Sequence, residues 1–331
     1  MSPSAGIPAR LSRLIVGDLP RRAATLLVDK PGEHELVALL GLRLTARQWD
    51  MLYLLLDHPL LSDRDLAAFL ALQRKSVHSL VYTLHRLGCL DVIPTEAGTR
   101  WRLGEHGLRL IAAANRFHVR NLAVVSGDET GSGTITLKQR GVDWLLEHIQ
   151  HTAGIYRFFA VLADAARGVP GHTLCWWETG ARCERRYQIG EQWYNLRPDA
   201  LAEYRVGQDQ FRFWLEWDRG TMNARDLAEK FDAYTHYAAL REWARERATL
   251  PRLLCVVPDI AQERRMQRVA QARLTSTPGP VLWTTTEVLL KAEGPIAPIW
   301  MRVKSRSNQP AQVSDLGRSD PFDANPGKKG P

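Results

Sequence analysis

The sequence predicts an α/β protein, α+β overall, in two folded parts, and three observations predict it. An early stretch carries capped helical periodicity that closes in two short alternating runs. Six further short apolar or alternating runs come later, separated by helical stretches. The 331 residues are 45% hydrophobic and 24% charged, enough for about two domains with buried cores, which excludes wholesale disorder. Apolar runs such as 51–56 fall far short of the ~20 residues that a membrane-spanning helix needs. Arg10, Arg13, Asp18, Arg21 and Arg22 interrupt every N-terminal hydrophobic run, so no signal peptide is expected and a cytoplasmic location is. Cys89, Cys175, Cys183 and Cys255 form no CxxC pair and read as buried thiols.

The expected organisation is a leader over 1–42, a first domain over 43–120 and a linker over 121–140. An α/β domain over 141–304 and a disordered tail over 305–331 complete it. The linker is centred on the small, polar run 126–134, and the tail has few bulky apolar residues to offset its ordering entropy.

In the first domain Thr45 caps a helix with Trp49, Leu52, Tyr53 and Leu56 on one face, ended by His58 and Pro59. Ser62 with Asp65 three residues on resembles a capping box and opens a short helix carrying Leu66, Phe69 and Leu70. A third helix over 74–87 buries Val77, Leu80, Val81 and Leu84, and Gly88 stands where a left-handed residue ends a helix. Two alternating runs, 90–93 and 100–103, flank a Thr-Glu-Ala-Gly turn and read as a hairpin. A closing helix follows over 105–115. Two short helices with a tight turn make a helix-turn-helix, and the hairpin after them is the wing of a winged-helix DNA reader.

The charge pattern points the same way. Lys and Arg total 44 against 36 Asp and Glu, a net of +8, and the first 125 residues hold 16 basic against 11 acidic side chains. A basic surplus favours a polyanionic partner. Residues 73–88 contain no acid. Gln73, Arg74, Lys75, Ser76 and Ser79 at the start of the third helix are the expected contacts to base edges and phosphates, with Arg100 and Arg102 on the wing holding the backbone. The competing account of these positions is a solvated helix face.

In the second domain a helix is expected over 145–167, strands over 173–177, 201–206, 211–217, 253–257, 280–283 and 299–303, and helices over 224–245 and 261–273. Residues 201–206 and 211–217 flank Gly-Gln-Asp-Gln and read as a hairpin. With Gln208 and Asp209 as a two-residue loop, Leu201 faces Glu216 and Asp199 faces Asp218, which places Asp199, Glu216 and Asp218 on one sheet face. A three-residue loop would separate Asp199 from the other two. Clustered carboxylates repel unless a cation intervenes, and hard oxygen donors of this kind suit Mg²⁺ or Mn²⁺ held by Asp199 and Glu216. Such an ion activates water for phosphodiester attack, with Lys230 on the next helix steadying the developing charge and Arg219 and Tyr234 close by in sequence. The structural alternative pairs Glu216 with Arg212 or Arg197 and leaves Lys230 in solvent.

Three stretches resemble the replication-relaxation family: RLGEHGLRLI in the closing helix, LEHIQHTAGIYRFFAVL over 146–162, and RPDAL…FWLEWDRGT…LAEKFDAY over 197–234. The last is similar to that family's PD…ExDrGt…K…Y signature. The resemblance spans about 44–303 and implies a role in plasmid or mobile-element replication and DNA relaxation. The same block also resembles a PD-(D/E)xK nuclease core, which implies a mixed-sheet, restriction-endonuclease-like fold. Carried over residue by residue, Asp199 takes the first carboxylate position and Glu216 the second. Asp218 stands where the pattern has its lysine, and Lys230 takes the place of a migrated lysine.

Other constellations are weaker. His148 and His151 read as core or capping residues, Glu178 as a partner of Arg182, and Trp176 and Trp177 as core. There is no GxxxxGK[ST], GxGxxG or GxSxG motif, which disfavours ATP-driven chemistry and dinucleotide redox. The expected partner is double-stranded DNA, with a second copy of the chain or replication proteins as further candidates and no membrane. The second domain either nicks or cuts DNA with a divalent metal or organises a complex without chemistry. The rival reading is a transcriptional regulator whose second domain only dimerises or senses a ligand.

Overall fold

Thr45 opens the first helix, α1 (Ala46–Asp57), by a reciprocal capping box with Gln48: its hydroxyl accepts from the Gln48 N–H at 3.3 Å and the Gln48 side chain returns to its own N–H at 2.8 Å. Ser62 and Asp65 do the same for α2 (Asp63–Leu70), so the shorter acid serves where Glu or Gln is commoner. The computed structural model describes residues 44–115, 118–126, 136–241, 243, 249–274, 279–303 and 311–317. They fall in two compact units, Met1–Ala160 and Val161–Pro331. The expected leader and nearly all of the run 126–134 lie outside the described residues.

In the first unit, Ala71 turns left-handed at φ 53° to end α2 and send the chain into α3 (Arg74–Arg86). That helix buries Val77, Val81 and Leu84, with Leu80 half-buried at the edge of the face. Gly88 follows at φ +67°, in the left-handed conformation its position called for. β1 (Leu90–Ile93) and β2 (Arg100–Leu103) pair antiparallel, and Leu61 bridges to Trp101 alongside them. α4 (Glu105–Asn115) then buries Leu108, Leu110 and Ile111. Three helices, a hairpin and a closing helix thus stand in the expected order.

Two strands lie where sequence reading expected a linker. β3 (Ala123–Ser126) and β4 (Thr136–Gln139) pair antiparallel, and the buried Gln139 amide accepts from the Leu103 N–H and donates to the Leu55 carbonyl. One polar side chain therefore ties β4 into the unit. The helix expected over 145–167 is two helices, α5 (Val142–Glu147) and α6 (Ile149–Gly168), with His148 ending the first.

The second unit is built on β5 (His172–Thr179), the ribbon strands β6 (Arg185–Ile189) and β7 (Gln192–Leu196), β8 (Ala200–Val206) and β9 (Asp209–Trp217). After α7 (Ala224–Ala239) come β10 (Arg252–Val257), α8 (Ile260–Arg273), β11 (Leu282–Thr286), α9 (Glu287–Glu293) and β12 (Met301–Arg302). Six strands form one mixed sheet in the order β12-β11-β10-β9-β8-β5, with β9, β10 and β11 parallel and the other pairings antiparallel. The mixed α/β class is as the sequence predicts. Leu201, Trp214, Leu253, Cys255 and Leu282 from the sheet pack with Leu227, Phe231 and Tyr234 of α7 and Met266 and Ala270 of α8.

The β8–β9 register differs from the expected one. The loop residues are Gly207 and Gln208, so Ala200 pairs with Leu215 and Leu201 with Trp214. Glycine at φ +60° supplies the positive dihedral that a two-residue hairpin turn demands, which Gln208-Asp209 could not supply as cheaply. The slip is two residues, an even number, so every side chain keeps its face. Continued by one residue, it sets Asp199 against Glu216 rather than Asp218.

Within the segment expected to be a disordered tail, Ala311 bridges to Trp300 and a 3-10 turn spans Val313–Gly317. Val313 and Leu316 are each 1% exposed, so two apolar side chains in a polar stretch suffice to anchor it. No helix among the described residues is long and apolar enough to cross a membrane.

Candidate active site and nucleic-acid interface

Asp199, Glu216 and Lys230 reach one place from three elements. Asp199 precedes β8, Glu216 sits near the end of β9, and Lys230 projects from α7, whose start Asn223 caps by accepting from the N–H groups of Arg225 and Asp226. The Lys230 ammonium forms an ion pair with Glu216 Oε2 and lies 4.0 Å from Asp199 Oδ1. Asp199 Oδ2 accepts from the Trp217 N–H at 2.8 Å. Tyr234, one turn beyond Lys230 on α7, donates its hydroxyl to Glu216 Oε1. Both oxygens of Glu216 are thus engaged, and the residue is 2% exposed. The structure therefore pairs Glu216 with Lys230 and not with Arg212, which is bound to Glu203, or Arg197, which is bound to Glu184.

Burial sets the electrostatics. It pushes the Glu216 carboxyl up to about 8, with the Lys230 ammonium pulling it down and the Asp199 charge adding to the rise. Burial works against the Lys230 ammonium too, but Asp199 and Glu216 outweigh it and hold the group protonated beyond its ordinary range. Burial and the Glu216 charge push both the Tyr234 hydroxyl and the Cys255 thiol well up, so neither ionises near neutrality. Cys255 stands directly across from Glu216 on β10, a neighbour that no motif announces.

Asp218 does not join the ion pair. It follows the last residue of β9 and is 7% exposed, and its Oδ1 accepts from the Gly220 N–H at 2.8 Å and shapes the turn after the strand. Among the described residues no group of three or more His, Cys, Asp and Glu side chains is placed to hold a metal ion. Of the weaker constellations, His148 donates to the Trp144 carbonyl at 3.0 Å and stacks on the Trp144 ring. Trp177 is buried, and Trp176 donates to Glu203 at 2.9 Å beneath the Arg212 guanidinium.

The helix expected to read DNA is open to solvent. Gln73, Arg74, Lys75, Ser76 and Ser79 are all on the solvent side of α3 or at its start, and neither Arg74 nor Lys75 forms an ion pair among the described residues. Sequence reasoning missed Tyr82 on the same helix, 57% exposed with the Arg86 guanidinium 5.9 Å above its ring. Its helical spacing from Ser79 was the available signal. The wing arginines behave differently. Arg100 is 7% exposed, bonded to Asp65 at 3.2 Å and to the Ala97 carbonyl at 2.7 Å, so it faces inward and is corrected from a backbone contact to an internal brace. Arg102 is half-buried and paired with Asp91 at 3.1 Å.

Residues 52–253 match the replication-relaxation family, which is more than half of the chain. The chain belongs to that family. The match takes in α3, the carboxylates Asp199 and Glu216, and Lys230, so the exposed basic helix and the acidic cluster both lie inside the replication-relaxation region. No curated protein and no solved structure matches the chain.

Proposed function

We propose that this replication-relaxation protein binds duplex DNA of a plasmid or mobile element through the exposed face of α3 and cleaves a phosphodiester at the Asp199–Glu216–Lys230 cluster with Mg²⁺ or Mn²⁺. The observation that carries the reading is the convergence of those three residues, in the carboxylate–carboxylate–lysine combination of a PD-(D/E)xK site. Buried carboxylates flanking a bound ammonium form a place built for a cation. Asp199 and Glu216 would hold the divalent ion. Two protein carboxylates fit Mg²⁺, which keeps several waters and takes further oxygens from substrate phosphate. When bound, such an ion supplies an acidified water and a polarised phosphate oxygen.

The chain's own residues do the rest. Tyr234 fixes the Glu216 carboxyl through its hydroxyl, Trp217 fixes Asp199 through its N–H, and Lys230 offers a preorganised positive charge to the phosphate oxygens as they gain charge. On α3, Arg74 and Lys75 sit at a helix N-terminus whose Gln73 makes no side-chain capping bond. Cations there oppose the helix dipole, and a phosphate would relieve the conflict.

Supercoiled plasmid incubated with the full chain and Mg²⁺ or Mn²⁺ tests the cleavage. Nicked or linear product, abolished by Glu216→Gln, is the expected result. Plasmid that stays intact with either metal would overturn it in favour of a non-cleaving role for the same ion pair.

A further inference from the structure

The ribbon β6–β7 stands outside the main sheet, and its two faces differ. The register pairs Gln188 with Trp193 and Arg186 with Asn195, so these four share one face. Tyr187, Tyr194 and Leu196 share the other. That inner face is fastened: Tyr187 and Leu196 are buried, Tyr187 stacks on Tyr194 at 5.6 Å, and it meets Tyr237 edge-on at 6.2 Å. Tyr237 lies on α7, the helix that carries Lys230 and Tyr234. The outer face is in water. Arg186, Gln188, Trp193 and Asn195 are all exposed, Trp193 to 54%, and the Arg186 guanidinium lies 4.5 Å above the indole.

Nothing in folding calls for an indole there, because the ribbon is already held by its other side. The chain then runs from Leu196 to Asp199 in three residues, no more than about 10 Å of extended backbone, so the ribbon leads directly into the acidic cluster. Its charge suits a polyanion: residues 182–197 carry Arg182, Arg185, Arg186 and Arg197 against Glu184 and Glu191. An exposed aromatic under an arginine, flanked by carboxamides, is the chemistry that holds an unpaired base: the ring stacks, the cation takes phosphate, and the amides reach base edges.

The geometry points to a stacking platform on which an unpaired base of the processed DNA strand lies on Trp193, beside the Asp199–Glu216–Lys230 site. The inference rests on the reading of this chain as a DNA-acting protein and adds that it grips single-stranded DNA at a second place, distinct from α3.

Fluorescence anisotropy with the full chain in EDTA tests it, using labelled oligothymidylate and a labelled blunt duplex as probes. Trp193→Ala should weaken oligothymidylate binding by about tenfold or more, and Trp193→Phe should retain most of it. Arg186→Ala should lower the salt slope for the same probe by about one. Neither variant should change duplex binding, and an unchanged thermal midpoint confirms that the exposed positions leave the fold intact. Oligothymidylate affinity that is the same in Trp193→Ala as in the parent overturns the platform, as does a parent that binds duplex but not oligothymidylate. Those results leave the α3 reading standing. Intact plasmid together with a Trp193-dependent loss of oligothymidylate binding defeats the cleavage reading and upholds the platform.

Discussion

Glu216 is the residue whose surroundings decide what the acidic cluster can do. Its carboxyl moves from an ordinary 4.5 to about 8 on folding, chiefly through burial. Between those values the folded chain holds a proton that the unfolded chain has released, so its contribution lowers stability as pH rises from 4.5 to 8. The slope is up to about 1.4 kcal/mol per pH unit for one proton. Glu216→Gln, which keeps the shape without the titration, should flatten that part of the profile, as urea unfolding across this range will measure. Asp65 and Arg100 make a second single-residue case. The pair is buried and braces α2 against β2. Removing one partner strands a charge, so Asp65→Ala should cost about 3–5 kcal/mol in denaturant unfolding, while the double replacement Asp65→Ala with Arg100→Met should cost less. Sequence reading placed Arg100 in solvent because charge alone does not say which way a strand residue faces; the neighbouring Asp65 was visible only as a capping residue.

At the scale of the element, helices were the most legible parts. Thr45–Gln48, Ser62–Asp65 and Gly88 are local signals, and each stands in the structure as its chemistry requires. α3 is the element with the clearest functional prediction. Its Arg74 and Lys75 are exposed and outside any ion pair among the described residues. Replacing both by Ala should weaken duplex binding and reduce the slope of log affinity against log salt by about two, one for each phosphate no longer neutralised. A salt titration by anisotropy checks it, and an unchanged slope places the interface elsewhere. The β6–β7 ribbon escaped sequence reading because seven of its ten residues are exposed and only Tyr187 and Leu196 are buried, too few to mark a strand by apolar alternation. The short strands β3 and β4 escaped for a related reason: their place is secured by long-range bonds of Gln139, which no local pattern carries.

At the scale of the whole molecule, the family match ends at residue 253, just as β10 begins. The strands and helices C-terminal to that boundary nonetheless form part of the site's frame, since β10 lies beside β9 in the parallel part of the sheet and sets Cys255 opposite Glu216. The 3-10 turn at Val313–Gly317 extends the same frame and lies near β9. A chain ending at residue 304 would lose the buried Val313 and Leu316. At about 1.5–3 kcal/mol for each fully buried aliphatic side chain, the second unit should lose about 3–6 kcal/mol, read as a lower thermal midpoint. A truncated chain as stable as the parent would show that the turn is not part of the core.

The sequence by itself determined the α/β class, the order of helices around the first hairpin and the residue types of the acidic cluster, because capping, periodicity and side-chain chemistry act over a few neighbouring residues. Whether Asp199 and Glu216 share a face it left to the loop length: the observed two-residue loop keeps them together, where a three-residue loop would have parted them. Tertiary structure alone decided that Lys230 and Tyr234 close on Glu216, that Arg100 turns inward, and that Trp193 stays in water. Those outcomes depend on which surfaces meet across long stretches of chain, and burial, the force that settles them, is a property of the assembled fold rather than of any segment.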